Sequence, residues 1–83
     1  MIEQSAVKSA THIDDARGSY CPGPLMELIR TIRSAAVGEV ICVRSTDRGS
    51  KVDIPKWVEK AGHRLIEVSQ LEGFDEIVVE KTH

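Results

Sequence analysis

Cys21 is the residue of this chain whose surroundings most suggest reactivity: it stands in Cys21-Pro22-Gly23-Pro24, directly ahead of a stretch with helical spacing. A thiol at the start of a helix faces the positive end of the backbone dipole, and that favours the thiolate, the nucleophilic form of cysteine. The effect is bounded. A helix terminus supplies ~0.3–1 kcal/mol at an exposed site, less than the ~1.4 kcal/mol that one pKa unit represents. Pro22 and Pro24 carry no N–H, so Gly23, Leu25 and Met26 are the nearby backbone donors. The expectation is a thiol moderately more acidic than usual. In thiol exchange an attacking sulfur works best with a pKa near ambient pH, and a lower pKa makes a better leaving group, so one such residue can both take up and release sulfur.

The position three residues beyond Cys21, where a dithiol oxidoreductase would carry its second cysteine, is Pro24. A neighbouring thiol would discharge a persulfide internally, so its absence favours transfer between molecules. Gly23 keeps side-chain bulk away from the sulfur, and the two prolines stiffen the approach. Cys42 lies among Val40, Ile41 and Val43 and reads as a core or sheet-face residue instead.

Other side chains have candidate roles beside Cys21. Arg17, a cation four residues away, could steer a partner or a persulfide anion, with Asp15 as its neighbour. Met26, Arg30 and Arg33 fall along one flank of the following helix, where they suit a contact strip for acidic partners. Asp47, Arg48, Lys51 and Asp53 form a charged loop, with Asp53 expected to cap the second helix. His12, His63 and His83 have no metal-ligand spacing with one another or with the cysteines, so neither a zinc site nor a bound cofactor is expected. No Ser/His/Asp grouping or glycine-rich phosphate loop points to hydrolysis or nucleotide binding.

The elements that must hold these residues follow from periodicity. Thr11 to Gly18 is a weak strand candidate. Leu25, Leu28, Ile29, Ile32 and Ala36 repeat at helical spacing, with Pro24 suited to the first helical position and Gly38 to the end. Glu39 to Ser45 is a short β-branched strand. Ile54, Trp57, Val58 and Ala61 mark a second helix, opened by Asp53 and Pro55 and closed by Gly62. Leu65 to Ser69 and Glu76 to Lys81 read as an antiparallel hairpin turning through Leu71-Glu72-Gly73-Phe74. Two helices with one apolar stripe each need one apolar sheet face between them. The fold class is therefore α+β, a two-layer sandwich with both helices on one face and the other face largely open to water.

Length and charge narrow the function. The chain has 83 residues, enough for one domain, which we place at residues 11–83 behind a flexible lead-in over residues 1–10. With 11 basic against 13 acidic residues and no dense basic run, nucleic acid is an unsuitable direct partner. Residues Met1 to Ala10 lack the apolar segment of a signal peptide, and no stretch is long enough to span a membrane, so a cytoplasmic location is expected. A monomer is the simplest expectation for so small and polar a chain.

Two separated motifs resemble a known family. Asp15-Ala16-Arg17-Gly18-Ser19-Tyr20-Cys21-Pro22-Gly23-Pro24 is similar to the Asp-x-Arg-Gly-x-x-Cys-Pro-x-Pro signature of the TusA/SirA-like sulfur carriers. Thr46-Asp47-Arg48-Gly49-Ser50, then Asp53-Ile54-Pro55-Lys56-Trp57 and Ala61-Gly62-His63-Arg64-Leu65, fall where that family has its strand-end loop and second helix. The resemblance spans about residues 11–81. It implies a βαβαββ sandwich on a mixed four-stranded sheet, with Cys21 bearing the persulfide and Arg17, Gly18, Pro22, Gly23 and Pro24 as the supporting motif. It also implies a donor protein such as a cysteine desulfurase or rhodanese and an acceptor with a reactive cysteine, DsrE-like, in tRNA wobble-uridine thiolation or sulfur oxidation. Ser19 departs from the leucine common there, and Val79-Glu80-Lys81 lacks the arginine that often precedes the lysine. The contrasting expectation is an interaction module in which Cys21 is only structural.

Overall fold

The computed structural model describes residues 10–20 and 22–83; most of the expected lead-in, and Cys21 itself, lie outside the described residues. The elements are β1 (His12–Asp15), α1 (Gly23–Ser34), β2 (Val40–Ser45), α2 (Ser50–Ala61), β3 (Arg64–Leu71) and β4 (Phe74–Glu80), in the expected βαβαββ order. They build one mixed sheet with strand order β1-β2-β4-β3. The helical crossover makes β1 and β2 parallel, and β4 pairs antiparallel with both β2 and β3.

Apolar spacing decides what packs. Leu28, Ile32 and Ala35 from the α1 region and Ile54 and Val58 from α2 close on Ile41, Val43, Ile77 and Val79 of the sheet, with Leu25 and Trp57 at the margin. Each large aliphatic side chain removed from water in this way contributes about 1.5–3 kcal/mol. Alternation along β2 and β4 sends Cys42 and Val78, which stand opposite one another, to the helix-free face. That face departs from the expectation of an open surface: Cys42, Val78 and Glu76 are all buried. Cross-strand ion pairs occupy it, with Arg44 Nε donating to Glu76 Oε2 at 3.0 Å and Arg64 lying 3.6 Å from Glu80.

Both helices differ from the sequence expectation at an end. α1 stops at Ser34 rather than near Gly38, because Ala35 turns to extended backbone and the Lys81 ammonium donates to the carbonyls of Ile32 (2.5 Å) and Ala35 (2.7 Å). Gly38 sits in the turn that follows, its N–H on the Lys81 carbonyl. α2 begins at Ser50, three residues ahead of Asp53, so Asp53 lies in the first turn and Pro55 inside the helix. The capping expected of Asp53 falls to Asp47, whose Oδ2 accepts from the Ser50 N–H (3.1 Å) and hydroxyl (3.3 Å). The C-terminal expectation for α2 holds: Gly62 takes the left-handed conformation and donates to Glu59, and His63 donates back to Val58. β1 is shorter than expected, as the chain turns away after Ala16 bonds the Arg44 carbonyl.

Candidate functional site

Strand direction gathers three loops at one end of the sandwich. The C-terminal ends of β1 and β2, the starts of α1 and α2 and the β3–β4 turn all lie there, as the pairs Asp15–Arg44, Ser45–Asp75 and Leu71–Phe74 require. The segment that carries Cys21 runs across this end between β1 and α1.

Its approach is held at several points. The Arg17 guanidinium grips Asp15 with two hydrogen bonds, Nε to Oδ1 at 2.8 Å and Nη2 to Oδ2 at 2.7 Å. These bonds hold the Asp15 carboxyl down at about 2. The same guanidinium carbon sits 5.0 Å from the centre of the Phe74 ring. Arg17 is thus committed to Asp15 and Phe74, which narrows the steering role expected of it. Gly18 donates its N–H to the Thr46 hydroxyl at 2.9 Å. Past position 21, Gly23 donates to the Tyr20 carbonyl at 2.6 Å and Met26 to the Pro22 carbonyl at 2.9 Å. Two of the three amides expected near the sulfur are therefore engaged by backbone carbonyls.

The prolines and the glycine between them have separate tasks. Pro22 is exposed at the N-cap and offers no side-chain acceptor, whereas Pro24 is fully buried as the second residue of α1. A Cβ at Gly23 would lie 3.1 Å from the Ser19 Cβ, so a side chain there would require Ser19 to give way by a few tenths of an ångström. The first turn of α1 contains no acidic residue, which leaves the positive end of the helix uncancelled by a local carboxylate.

Met26, Arg30 and Arg33 form a separate patch. With Ile29 they line a shallow cavity of about 450 Å³ on the flank of α1. Met26 is 55% exposed. Arg30 reaches Glu27 only at 3.8 Å, and Arg33 makes no ion pair among the described residues.

Cys42 is at the opposite extreme. It is buried, and its thiol is pushed up to about 11 by burial first and by the Glu76 carboxylate second. The residues that sequence reading missed are Thr46 and Phe74. Each lies at least 28 positions from the residue it holds, and only the fold brings them together.

A family model described as Sulfurtransferase TusA matches residues 13–81. The chain belongs to the TusA family. A relative from Archaeoglobus fulgidus, whose name describes a candidate sulfur carrier, is 60% identical over 67 residues, covering 81% of this chain and 92% of that one. The TusA sulfur carrier protein of Pseudomonas aeruginosa is 38% identical over 65 residues, covering 78% of this chain and 82% of its own. In three dimensions a SirA-like protein from Desulfitobacterium hafniense superposes with a TM-score of 0.76, at 20% identity over 88% of this chain and all of the other, which establishes the shared fold. As a TusA-family member the chain keeps both motifs inside the matched span, with the Cys21 segment and the Thr46 loop at the same end of the sandwich. No helix among the described residues is long and apolar enough to cross a membrane.

Proposed function

We propose that this protein is a sulfur carrier that holds sulfane sulfur as a persulfide on Cys21 and hands it to a cysteine of a partner protein. The observation that carries the reading is the inequality of its two cysteines. Cys42 is sealed in the sheet with a thiol near 11 and is almost wholly protonated at neutral pH, which leaves Cys21 to exchange sulfur. Membership of the TusA family and the sulfur-carrier names of its relatives support the same assignment.

The chemistry needs two balanced exchanges. The Cys21 thiolate attacks the outer sulfur of a donor persulfide, forming one S–S bond as the donor's S–S bond breaks and the donor cysteine leaves as a thiolate. An acceptor thiolate then attacks the outer sulfur on Cys21, and Cys21 departs with the electron pair. The uncancelled start of α1 stabilises that departing charge. The engaged Gly23 and Met26 amides keep the stabilisation modest, as reversible loading requires. Donors of the cysteine desulfurase or rhodanese type and DsrE-like acceptors fit this exchange, whether the sulfur is bound for tRNA thiolation or for oxidation. Met26, Ile29, Arg30 and Arg33 offer such partners a patch with an apolar floor and cationic rim.

Mass spectrometry tests the assignment. After incubation with a cysteine desulfurase and cysteine, or a rhodanese and thiosulfate, the protein gains one reductant-labile sulfur, and Cys42→Ser retains the gain. Uptake by Cys21→Ser, or none by the wild type, overturns it. If Cys21 is only structural, as in an interaction module, Cys21→Ala leaves the biological effect intact.

A further inference from the structure

We infer that Thr46 is a positioning residue for Cys21, acting through the Gly18 amide, and that Phe74 supports it through Arg17. The inference rests on the reading of Cys21 as the sulfur-bearing residue and adds what holds that residue in place.

The segment between β1 and α1 has to cross the loop end of the sheet. Gly18, three residues before Cys21, donates its N–H to the Thr46 hydroxyl at 2.9 Å. Thr46 is itself well placed to be a fixed point. It directly follows Ser45, a fully buried residue of β2, and Ser45 Oγ accepts from the Asp47 N–H at 3.0 Å, so both chain neighbours of Thr46 are anchored. Asp47 in turn caps α2 through Ser50. The Gly18 amide is thereby tied to the rigid junction of β2 and α2, not to another part of its own loop.

A second tether acts on the preceding residue. Arg17 is gripped by Asp15 at the end of β1 and lies against the Phe74 ring at the start of β4. On the far side of Cys21, Pro24 is fully buried and fixes the entry to α1. The chain on either side of Cys21 is therefore pinned to three elements: the β2–α2 junction, β4 and the core. A thiol gains from a helix terminus only within the first turn, so the benefit depends on where this segment lies. Losing the Thr46 tether frees Gly18 and the segment it leads into, and Cys21 loses part of what the helix start supplies.

Thr46 is exposed, so replacing its hydroxyl with a methyl group leaves the core untouched. Three measurements on Thr46→Val, Thr46→Ser and wild type test the inference: Gly18 amide hydrogen exchange, the pH profile of Cys21 alkylation in a Cys42→Ser background, and the rate of sulfur transfer from pre-loaded protein. For Thr46→Val we expect Gly18 exchange to quicken by about three- to tenfold, the worth of one hydrogen bond. The alkylation midpoint should move up toward that of an unperturbed thiol, and transfer should slow by a similar factor. Thr46→Ser, which keeps the hydroxyl, should match wild type in all three. Phe74→Leu, which removes the ring face from Arg17 but keeps an apolar side chain, should move the alkylation profile in the same direction by less. The inference is overturned if Gly18 exchange quickens in Thr46→Val while the alkylation profile and transfer rate stay at wild-type values, or if Thr46→Ser is as impaired as Thr46→Val. A wild type that never takes up sulfur overturns the carrier reading instead. The alkylation profile still judges the positioning role, because it needs no sulfur donor.

Discussion

The helix-free sheet face and the flank of α1 both carry arginines, and they treat them in opposite ways. On the sheet face Arg44 is bonded to Glu76 at 3.0 Å and Arg17 to Asp15 at 2.7 Å, and the group they border includes the buried Cys42 and Val78. On α1, Arg30 has only a carboxylate at 3.8 Å, Arg33 has none among the described residues, and Met26 stays exposed. Internally paired charge closes a surface, since each cation already has its anion and a docking protein would have to break the pair. Loosely paired or unpaired charge around an apolar floor leaves the gain for a partner to collect. The two cysteines divide along similar lines, one built into the closed face and the other in the segment that leads into the open helix.

Reactivity gives this contrast its sharpest test. Under native conditions near pH 8, Cys21 should be alkylated at least about a hundredfold faster than Cys42, because a thiol near 11 is scarcely ionised there and Cys42 is also buried. Peptide mapping after timed alkylation measures the ratio, and comparable rates would erase the distinction between the two regions. Next in size is the closed face itself. Glu76→Ala removes the partner of the largely buried Arg44 and should cost about 1–2 kcal/mol in denaturant unfolding, less than a fully buried pair because Arg44 retains some solvent. It should also speed Cys42 alkylation, as a neighbouring carboxylate and part of its cover are lost.

On the open side, Arg30→Glu with Arg33→Glu should slow sulfur transfer to an acidic partner several-fold at low salt, with stability changed by less than about 0.5 kcal/mol. Equal transfer rates in a stopped assay would show that partners dock elsewhere. The smallest effect concerns the Asp15–Arg17 pair. The Asp15 carboxyl titrates at about 2, below its usual 3.8, so the pair's contribution is present above about pH 4 and is lost as pH falls toward 2. Asp15→Asn should flatten that part of the stability profile and leave the region above pH 5 parallel to wild type.

Much of this architecture was legible in the chain alone. The apolar periods of Leu25, Leu28 and Ile32 and of Ile54 and Val58, together with the β-branched run from Val40 to Val43, dictate two one-sided helices on one sheet, because burial is set by side-chain spacing. Cys21 stood out for the same local reason: Cys-Pro-Gly-Pro ahead of a helix is a pattern within ten residues. Gly62 ended α2 as its lack of a Cβ predicts, since a left-handed cap is a property of one residue.

Tertiary structure decided whatever depends on residues far apart in the chain. α1 ends at Ser34 because a lysine 46 or more positions away satisfies its last carbonyls. Thr46 and Phe74 reach Gly18 and Arg17 only once the parallel crossover brings the loops to one edge. Local propensity is fixed by a residue and its neighbours. A hydrogen bond across 28 residues exists only after the intervening chain has folded and its closure entropy has been overcome by the core.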